Sequence, residues 1–276
     1  MKFVAIICTL SLGCFASPVV QQETLQQASP SKLASFAYAL DLSSPVTVTG
    51  FSCMRASLYS VVFIRGYSPA GSGTVDPYAC ANIQNANKAG LGTEVFMTPQ
   101  PNSAKTGAQQ FDEMYNNLRN SNINVRAVWI QVTSPINWSL VTTNNVNFLN
   151  SILSRARQYG ITVGIYTNYY DWSQITNGAM VSNVMLWYWN VYGGGPQNET
   201  PADFSDFRQF GGWTVPSVKQ FAQVESVCGV TVNRNVYTTS SAAKGMAMSE
   251  KSDEITVGGL LLGNAAMFTG KPEIIA

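Results

Sequence analysis

The side chains best able to do acid–base chemistry in this chain are carboxylates, because its 276 residues include no histidine. Without an imidazole, the chain cannot hold a Ser-His-Asp or Cys-His catalytic group or a histidine-ligated zinc ion. Asp41, Asp171 and Glu225 each lie near the end of an apolar segment. Asp41 could be a site acid, or it could bond strand-end amides or Arg65. Any hydrolysis by this chain must therefore depend on carboxylates.

Structural roles are the simpler interpretation of the other two acids. Asp171 directly precedes Trp172 and is predicted to be the N-cap of a short helix that begins there. Glu225 is predicted to be a charge in a loop before Cys228. Because both follow predicted strands, where barrel enzymes form their active sites, a catalytic role for either is the alternative.

The elements that would position these acids are near-continuous apolar segments. They occupy residues 36–42, 59–65, 93–97, 125–130, 161–166 and 184–189. Such segments are typical of parallel strands that are buried on both faces. Between them, helical periodicity places Phe111, Met114 and Leu118 on one helix face, and Gly90 and Gly160 are expected to end helices. The pattern predicts an α/β barrel of about eight strands, helix-linked in the first five and nearly helix-free in the last three. A doubly wound open sheet is the alternative, but no glycine-rich phosphate loop follows the first strand.

The N-terminus predicts secretion. A lysine, a short apolar run and Ala16 before Ser17 describe a signal peptide over residues 1–16, too short to span a membrane. We expect a polar leader at 17–35, one barrel domain at 36–237 and a loosely packed, low-complexity tail at 238–276 that includes the apolar run 255–262. Only 11% of residues are charged and the net charge is +1, which disfavours nucleic acid and membrane partners. A monomer without metal or cofactor is expected.

The mature chain would keep Cys53, Cys80 and Cys228, which predicts one disulfide in an oxidising compartment and leaves three pairings open. Glycosylation sequons begin at Asn137 and Asn198, consistent with a secreted glycoprotein.

Several segments resemble a known family in their order and spacing, namely residues 38–43, 62–67, 164–168, 186–188, 210–213, 219–221 and 232–235. They resemble the barrel strands of glycoside hydrolase family 25, which contains the lysozymes (N-acetylmuramidases), and in particular its invertebrate and protist branch. The resemblance covers roughly residues 36–237. It implies a (β/α)5(β)3 barrel, similar to a TIM barrel, with its site at the mouth of the barrel.

The resemblance also implies where the family acids would lie. Asp41 matches the first conserved aspartate of the family. An aspartate and the proposed general acid, a glutamate, would occupy the positions of Gln131 and Thr133, and a last aspartate the position of Asn233. Three of these four positions therefore lack an acid. Gln131 and Thr133 point to the same side of one strand, but neither an amide nor a hydroxyl can lend a proton near neutral pH.

The amides at these positions can still bond the hydroxyl and acetamido groups of amino sugars. Six rings at or near predicted strand ends are candidates for stacking on sugars, although any one of them could instead be packing: Tyr67, Trp138, Tyr166, Tyr169, Trp187 and Trp189. The resemblance thus implies an extracellular lysozyme-like antimicrobial protein that engages peptidoglycan, or a related amino-sugar polymer, in innate defence or digestion. Whether catalysis is retained stays open. The alternatives are a catalytically silent glycan-binding protein and a regulatory protein that uses the barrel as a scaffold.

Overall fold

The computed structural model describes residues 36–238, 254–259 and 270–275. Its strands are β1 (Phe36–Leu42), β2 (Tyr59–Ser68), β3 (Thr74–Val75), β4 (Gly92–Met97), β5 (Ile123–Val125), β6 (Ala127–Gln131), β7 (Thr162–Thr167), β8 (Met180–Ser182), β9 (Met185–Trp189), β10 (Val218–Val227), β11 (Val230–Thr238), β12 (Ile255–Val257) and β13 (Glu273–Ile275). Each of the six strands predicted from apolar segments overlaps one strand of the barrel described next.

Eight of these strands close into a barrel in the order β1, β2, β4, β6, β7, β9, β10, β11, with β11 returning to β1. Neighbours are parallel from β1 to β10, whereas β11 is antiparallel to both β10 and β1. The closed ring excludes the alternative of an open doubly wound sheet. Because parallel strands end at the same rim, the residues that follow them converge on one mouth.

The helices are α1 (Val48–Ala56), α2 (Ala79–Lys88), α3 (Gly107–Asn120), α4 (Thr142–Gln158) and α5 (Tyr169–Thr176). Each lies in one of the first five connections between barrel strands. Thr106 and Gln109 form a capping box at the start of α3, which satisfies backbone groups that a helix N-terminus otherwise leaves unpaired. Within the fully described segment 190–217, which joins β9 to β10, no α-helix occurs, and a hairpin joins β10 to β11. The predicted (β/α)5(β)3 arrangement is confirmed.

The apolar core has two layers. One fills the interior of the barrel and includes Phe63, Trp129 and Trp187, and the other lies between the barrel and the helices. Gly164 allows Trp129 to lie across β7, because a Cβ atom at this glycine would come within 2.3 Å of the indole ring. Apolar side chains thus fill the barrel interior and leave polar groups to the rim.

Two described pieces of the C-terminal tail pack against this domain. β12 pairs with β5 and β13 pairs with β8, and Val257 and Ile274 are buried. The expectation of a loosely packed tail is wrong for these pieces, because their apolar side chains complete the outer core layer. The signal peptide, the leader segment and the rest of the tail lie outside the described residues. Among the described helices, none has the length and apolar character needed to cross a bilayer.

A disulfide joins Cys53 of α1 to Cys228 at the turn of the β10–β11 hairpin. This is one of the three pairings that the sequence left open, and Cys80 is the free cysteine of the described chain. The bond ties the last two barrel strands to the first helix across 175 residues of sequence.

Candidate functional site

Asp41 lies at the end of β1 and is only 6% exposed. Its carboxylate accepts hydrogen bonds from the side-chain amides of Gln220 at 2.7 Å, Asn233 at 2.8 Å and Asn235 at 2.8 Å. The antiparallel register places Asn233 opposite Asp41, and Asn235, two residues along, points to the same side of the sheet. Both carboxylate oxygens of Asp41 are therefore held by neutral donors.

The orientation of these amides is determined by the groups behind them. The Trp187 indole, which can only donate, donates to the Asn235 oxygen at 2.9 Å, and the Tyr166 hydroxyl donates to the Gln220 oxygen at 2.8 Å. The NH2 groups of both amides must then face Asp41. Burial raises the pKa of Asp41 above its ordinary value, and the three amide donors, which stabilise the charged form, offset only part of that rise. The result is a fixed acid in an otherwise uncharged setting.

Arg65 does not pair with Asp41, which was one of the interactions that the sequence left open. Its guanidinium donates to the buried carboxylate of Asp76 at 2.6 Å, and Asp76 also accepts the backbone N–H of Tyr78 in the turn before α2. Asp41 is thus bonded by amides rather than by this cation.

Gln131 and Thr133 form a second polar cluster at the same rim. The Gln131 amide donates to the Thr133 hydroxyl at 2.9 Å, and the Thr98 hydroxyl donates to the Gln131 oxygen at 2.6 Å. Gln131 lies beside Tyr166 in the β6–β7 register, and Tyr166 reaches Asp41 through Gln220. The structure therefore brings all four sequence-predicted site positions to one end of the barrel, with amides and a hydroxyl where three of the acids would be.

Asp171 occupies a different place from the one expected. The N-cap of α5 is Asn168, whose side chain accepts the Asp171 backbone N–H at 2.7 Å, so the prediction that Asp171 caps this helix is wrong. The Asp171 side chain instead accepts the Trp189 indole N–H at 3.1 Å and the backbone N–H of Ser134, and the residue is only 4% exposed. Burial raises its pKa, and these two bonds lower it. A second carboxyl group thus lies between the ends of β6 and β9.

Glu225 lies in β10, not in a loop, so that expectation is also wrong. It is buried beside Glu199 and Arg234; burial and the charge of Glu199 raise its pKa, and Arg234 lowers it. Arg234 alternates along β11 with Asn233 and Asn235, so this cluster lies on the opposite face from Asp41.

Four of the rings predicted to stack on sugars are buried, whereas Trp189 is half-buried and Tyr169 is exposed. Tyr67 and Trp187 are completely buried, so the prediction is wrong for both, since a buried ring has no face for a ligand. Tyr67 lies outside the barrel, where its hydroxyl donates to Glu113. Tyr166 lies at the mouth but is 6% exposed, as is Trp138, whose indole donates to the Thr133 carbonyl oxygen at 3.0 Å.

Exposed rings complete the rim; the sequence predicted Tyr169 among them but missed Tyr170 and Tyr192. Tyr169, Tyr170 and Tyr192 follow β7 and β9 and are 65%, 63% and 77% exposed, so they offer open ring faces. Their place directly after strand ends, in polar segments, was the available signal. Asn235 could have been found from the period of two along β11, whereas nothing local distinguishes Gln220.

Known proteins resemble this chain in sequence and in fold. A family model described as "Lysozyme-like protein 1" matches residues 32–221. Lysozyme-like protein 7 of Caenorhabditis elegans is 55% identical over 237 residues, covering 85% of this chain and 83% of the relative. Probable GH family 25 lysozyme 2 of Dictyostelium discoideum is 34% identical over 208 residues, covering 75% and 93%.

Solved structures share the fold at lower identity. A family GH25 lysozyme from Aspergillus fumigatus aligns with a TM-score of 0.56 at 13% identity, covering 78% of this chain and all of that one. A muramidase from Trichobolus zukalii aligns with a TM-score of 0.54 at 19% identity, covering 74% and 95%. With the family model and the relatives above, these findings establish that the chain belongs to glycoside hydrolase family 25, among its lysozyme-like members.

Proposed function

We propose that this protein binds the glycan strands of bacterial peptidoglycan at the barrel mouth. The observation that carries the proposal is the pair of polar clusters around Asp41 and Gln131, which place a fixed acid and several uncharged hydrogen-bonding groups at one rim. Amide and hydroxyl groups suit the hydroxyl and acetamido groups of amino sugars. The solved relatives named above include a lysozyme and a muramidase, which supports a cell-wall glycan as the ligand.

Recognition of the glycan by uncharged groups is consistent with the low net charge of the chain. A net charge of +1 offers little attraction to an anionic wall polymer. Binding should then depend on hydrogen bonds and on the exposed rings of Tyr169, Tyr170 and Tyr192, since flat rings can pack against sugar faces. We therefore expect binding to persist at high salt, which screens charge–charge attraction but not these contacts.

The proposed setting is extracellular defence or digestion. It is supported by the apolar N-terminal run that ends at Ala16 and by the disulfide, which persists in oxidising compartments. Expression with residues 1–16 should deliver the protein to the medium, and expression without them should retain it in the cell. Equal release of both forms would contradict secretion through this segment.

Co-sedimentation with washed insoluble peptidoglycan tests the binding proposal. The wild-type protein should sediment with the wall at low and at high salt. Gln131→Met keeps the length of the side chain but removes its hydrogen bonds to Thr98 and Thr133 and to any ligand. Because a hydrogen bond contributes about 0.5–1.5 kcal/mol, the loss of the bonds from this amide to the glycan should weaken binding roughly tenfold.

Gln158→Met is the matched control, because Gln158 is exposed at the end of α4, near the start of β7 and at the opposite end of the barrel from Gln131. It should bind like the wild type. Failure of the wild type to sediment with peptidoglycan, or equal weakening by both substitutions, would refute the proposed site.

A further inference from the structure

Asp171 is a buried carboxyl group at the mouth that the binding proposal does not use. Its contacts come from two different barrel strands, since Trp189 ends β9 and Ser134 lies just beyond β6. Ser134 is the residue next to Thr133. A carboxyl group therefore reaches the rim beside the Gln131 and Thr133 cluster, although it is carried by α5 and not by β6.

Tyr166 lies within electrostatic reach of both carboxyl groups of the mouth. Burial raises the pKa of the Tyr166 phenol well above its ordinary value, and the charges of Asp41 and of Asp171 raise it further. The phenol thus stays neutral and donates to Gln220. Two carboxyl groups therefore lie within electrostatic range of one hydroxyl group at the mouth. Glycoside hydrolysis uses a pair of carboxyl groups that flank the scissile bond, roughly 5–10 Å apart.

Burial raises the pKa of both acids, but the hydrogen bonds that each carboxylate accepts differ in number and kind. Asp41 receives three amide N–H groups on its two oxygens, and each of them favours the ionised form. Asp171 receives one indole and one backbone N–H, its burial favours the neutral form, and the first turn of α5 favours the charge. The titratable group that faces it is Tyr166 from β7, while β6 and β9 contribute the uncharged Ser134 backbone and Trp189.

We propose that Asp171 is the proton donor for cleavage of a glycosidic bond bound across the mouth, with Asp41 as the fixed negative charge. This inference rests on the proposed binding of peptidoglycan at this site.

In the reaction, the Asp171 carboxyl transfers its proton to the glycosidic oxygen. The bond between this oxygen and the anomeric carbon breaks, and its electron pair stays on the oxygen, which leaves as an alcohol. The Asp41 carboxylate stabilises the positive charge that develops on the sugar ring. Water then adds to the anomeric carbon and gives its proton to the Asp171 carboxylate, which restores the acid.

Release of reducing sugar from washed peptidoglycan, measured from about pH 3 to pH 8 beside the sedimentation assay, tests the proposal. Asp171→Asn keeps the shape of the side chain and an oxygen that can accept the Trp189 N–H, so it should fold and bind like the wild type. Its cleavage rate should fall about 100-fold to 10,000-fold, the usual cost of losing a general acid.

The matched control is Glu94→Gln. Glu94 is also a buried acid that accepts an indole N–H, from Trp129 at 3.0 Å, but it lies inside the barrel, where its charge acts on Tyr237. Glu94→Gln should cleave at the wild-type rate as long as it unfolds at a similar temperature.

A second variant separates proton donation from a structural role. Trp189→Phe removes the N–H that lowers the pKa of Asp171, so the acid should hold its proton to higher pH. The alkaline limb of the pH–rate profile should then shift to higher pH, which a merely structural contact would not cause.

The outcomes distinguish this inference from the binding proposal. A wild-type protein that binds peptidoglycan but releases no reducing sugar at any pH would overturn the catalytic role of Asp171 and leave binding intact. Cleavage by Asp171→Asn at the wild-type rate would also overturn it. No binding by the wild type would instead refute the proposed function itself.

Discussion

Asn233→Asp places a second carboxylate beside Asp41 and tests the geometry of the mouth directly. The Asn233 nitrogen now donates to the Asp41 carboxylate at 2.8 Å. Two unit charges at that separation repel each other by about 6 kcal/mol at an effective dielectric constant of about 20. Since one pKa unit corresponds to about 1.4 kcal/mol, one apparent pKa of the pair should rise by about four units.

The rise in pKa makes the stability of this variant depend on pH. In the unfolded chain both aspartates titrate near pH 4, whereas in the folded chain the pair holds one proton to much higher pH. The folded state then binds more protons than the unfolded state. Relative to the wild type, the free energy of unfolding should fall by about 1.4 kcal/mol per pH unit once the pH exceeds the raised pKa of Asp41, where the wild type has lost this proton and the variant still holds it. At pH 4 the shared proton replaces the lost amide donor, so the variant and the wild type should be similar.

Urea unfolding followed by tryptophan fluorescence, at pH values from about 4 to about 8, measures this effect through the linear extrapolation of free energy. Asn147→Asp, on the exposed face of α4, adds the same charge away from Asp41 and should track the wild type. If the difference between Asn233→Asp and the wild type stays constant within about 0.5 kcal/mol over this range, the side chain at position 233 does not face Asp41.

Three further predictions concern other parts of the fold. Replacing both Cys53 and Cys228 by serine releases a connection across 175 residues and should lower the free energy of urea unfolding by up to about 5 kcal/mol; a loss below about 1 kcal/mol would contradict this. Lys219→Met removes the buried ammonium group that lies 2.6 Å from the Asp206 carboxylate, and it should lower the free energy of unfolding by about 3–5 kcal/mol in the same assay. An unchanged urea midpoint would show that this ion pair is dispensable. Because the pKa of Asp171 is raised in the folded state, the wild type should lose stability as the pH rises above about 4. Asp171→Asn avoids this loss, so its melting temperature should rise relative to that of the wild type between about pH 4 and pH 7. The opposite trend would be inconsistent with the raised pKa.

The barrel could be predicted from sequence because a strand buried on both faces must be apolar nearly throughout. That requirement is local, so the apolar segments identified β1, β2, β4, β6, β7 and β9 directly. Helix α1 lacked such a signal, since Val48–Ala56 contains Thr, Gly, Ser and Cys and is weakly amphipathic. It forms because Thr47 accepts the backbone N–H of Gly50 and because Phe51 and Met54 are buried against the barrel.

The chemistry that the chain excludes was also determined by the sequence alone. The absence of histidine, and the amides and hydroxyl at positions 131, 133 and 233, follow from residue identity and do not depend on folding. Only the tertiary structure decided which groups share the rim. Asp171 has the local pattern of a helix cap, yet its carboxyl group accepts hydrogen bonds from Trp189, at the end of β9, and from Ser134, just beyond β6.

Burial and pairing were decided in the same way. Trp187 and Tyr169 have similar places near strand ends in the sequence, but one ring is enclosed by the barrel and the other is open to solvent. The partner of Cys53 and the positions of β12 and β13 depend on segments that are far away in the chain. Residue types and their spacing indicate the secondary structure of one segment and which of its faces is apolar. The exposure and the contacts of a side chain depend on all the segments that pack around it.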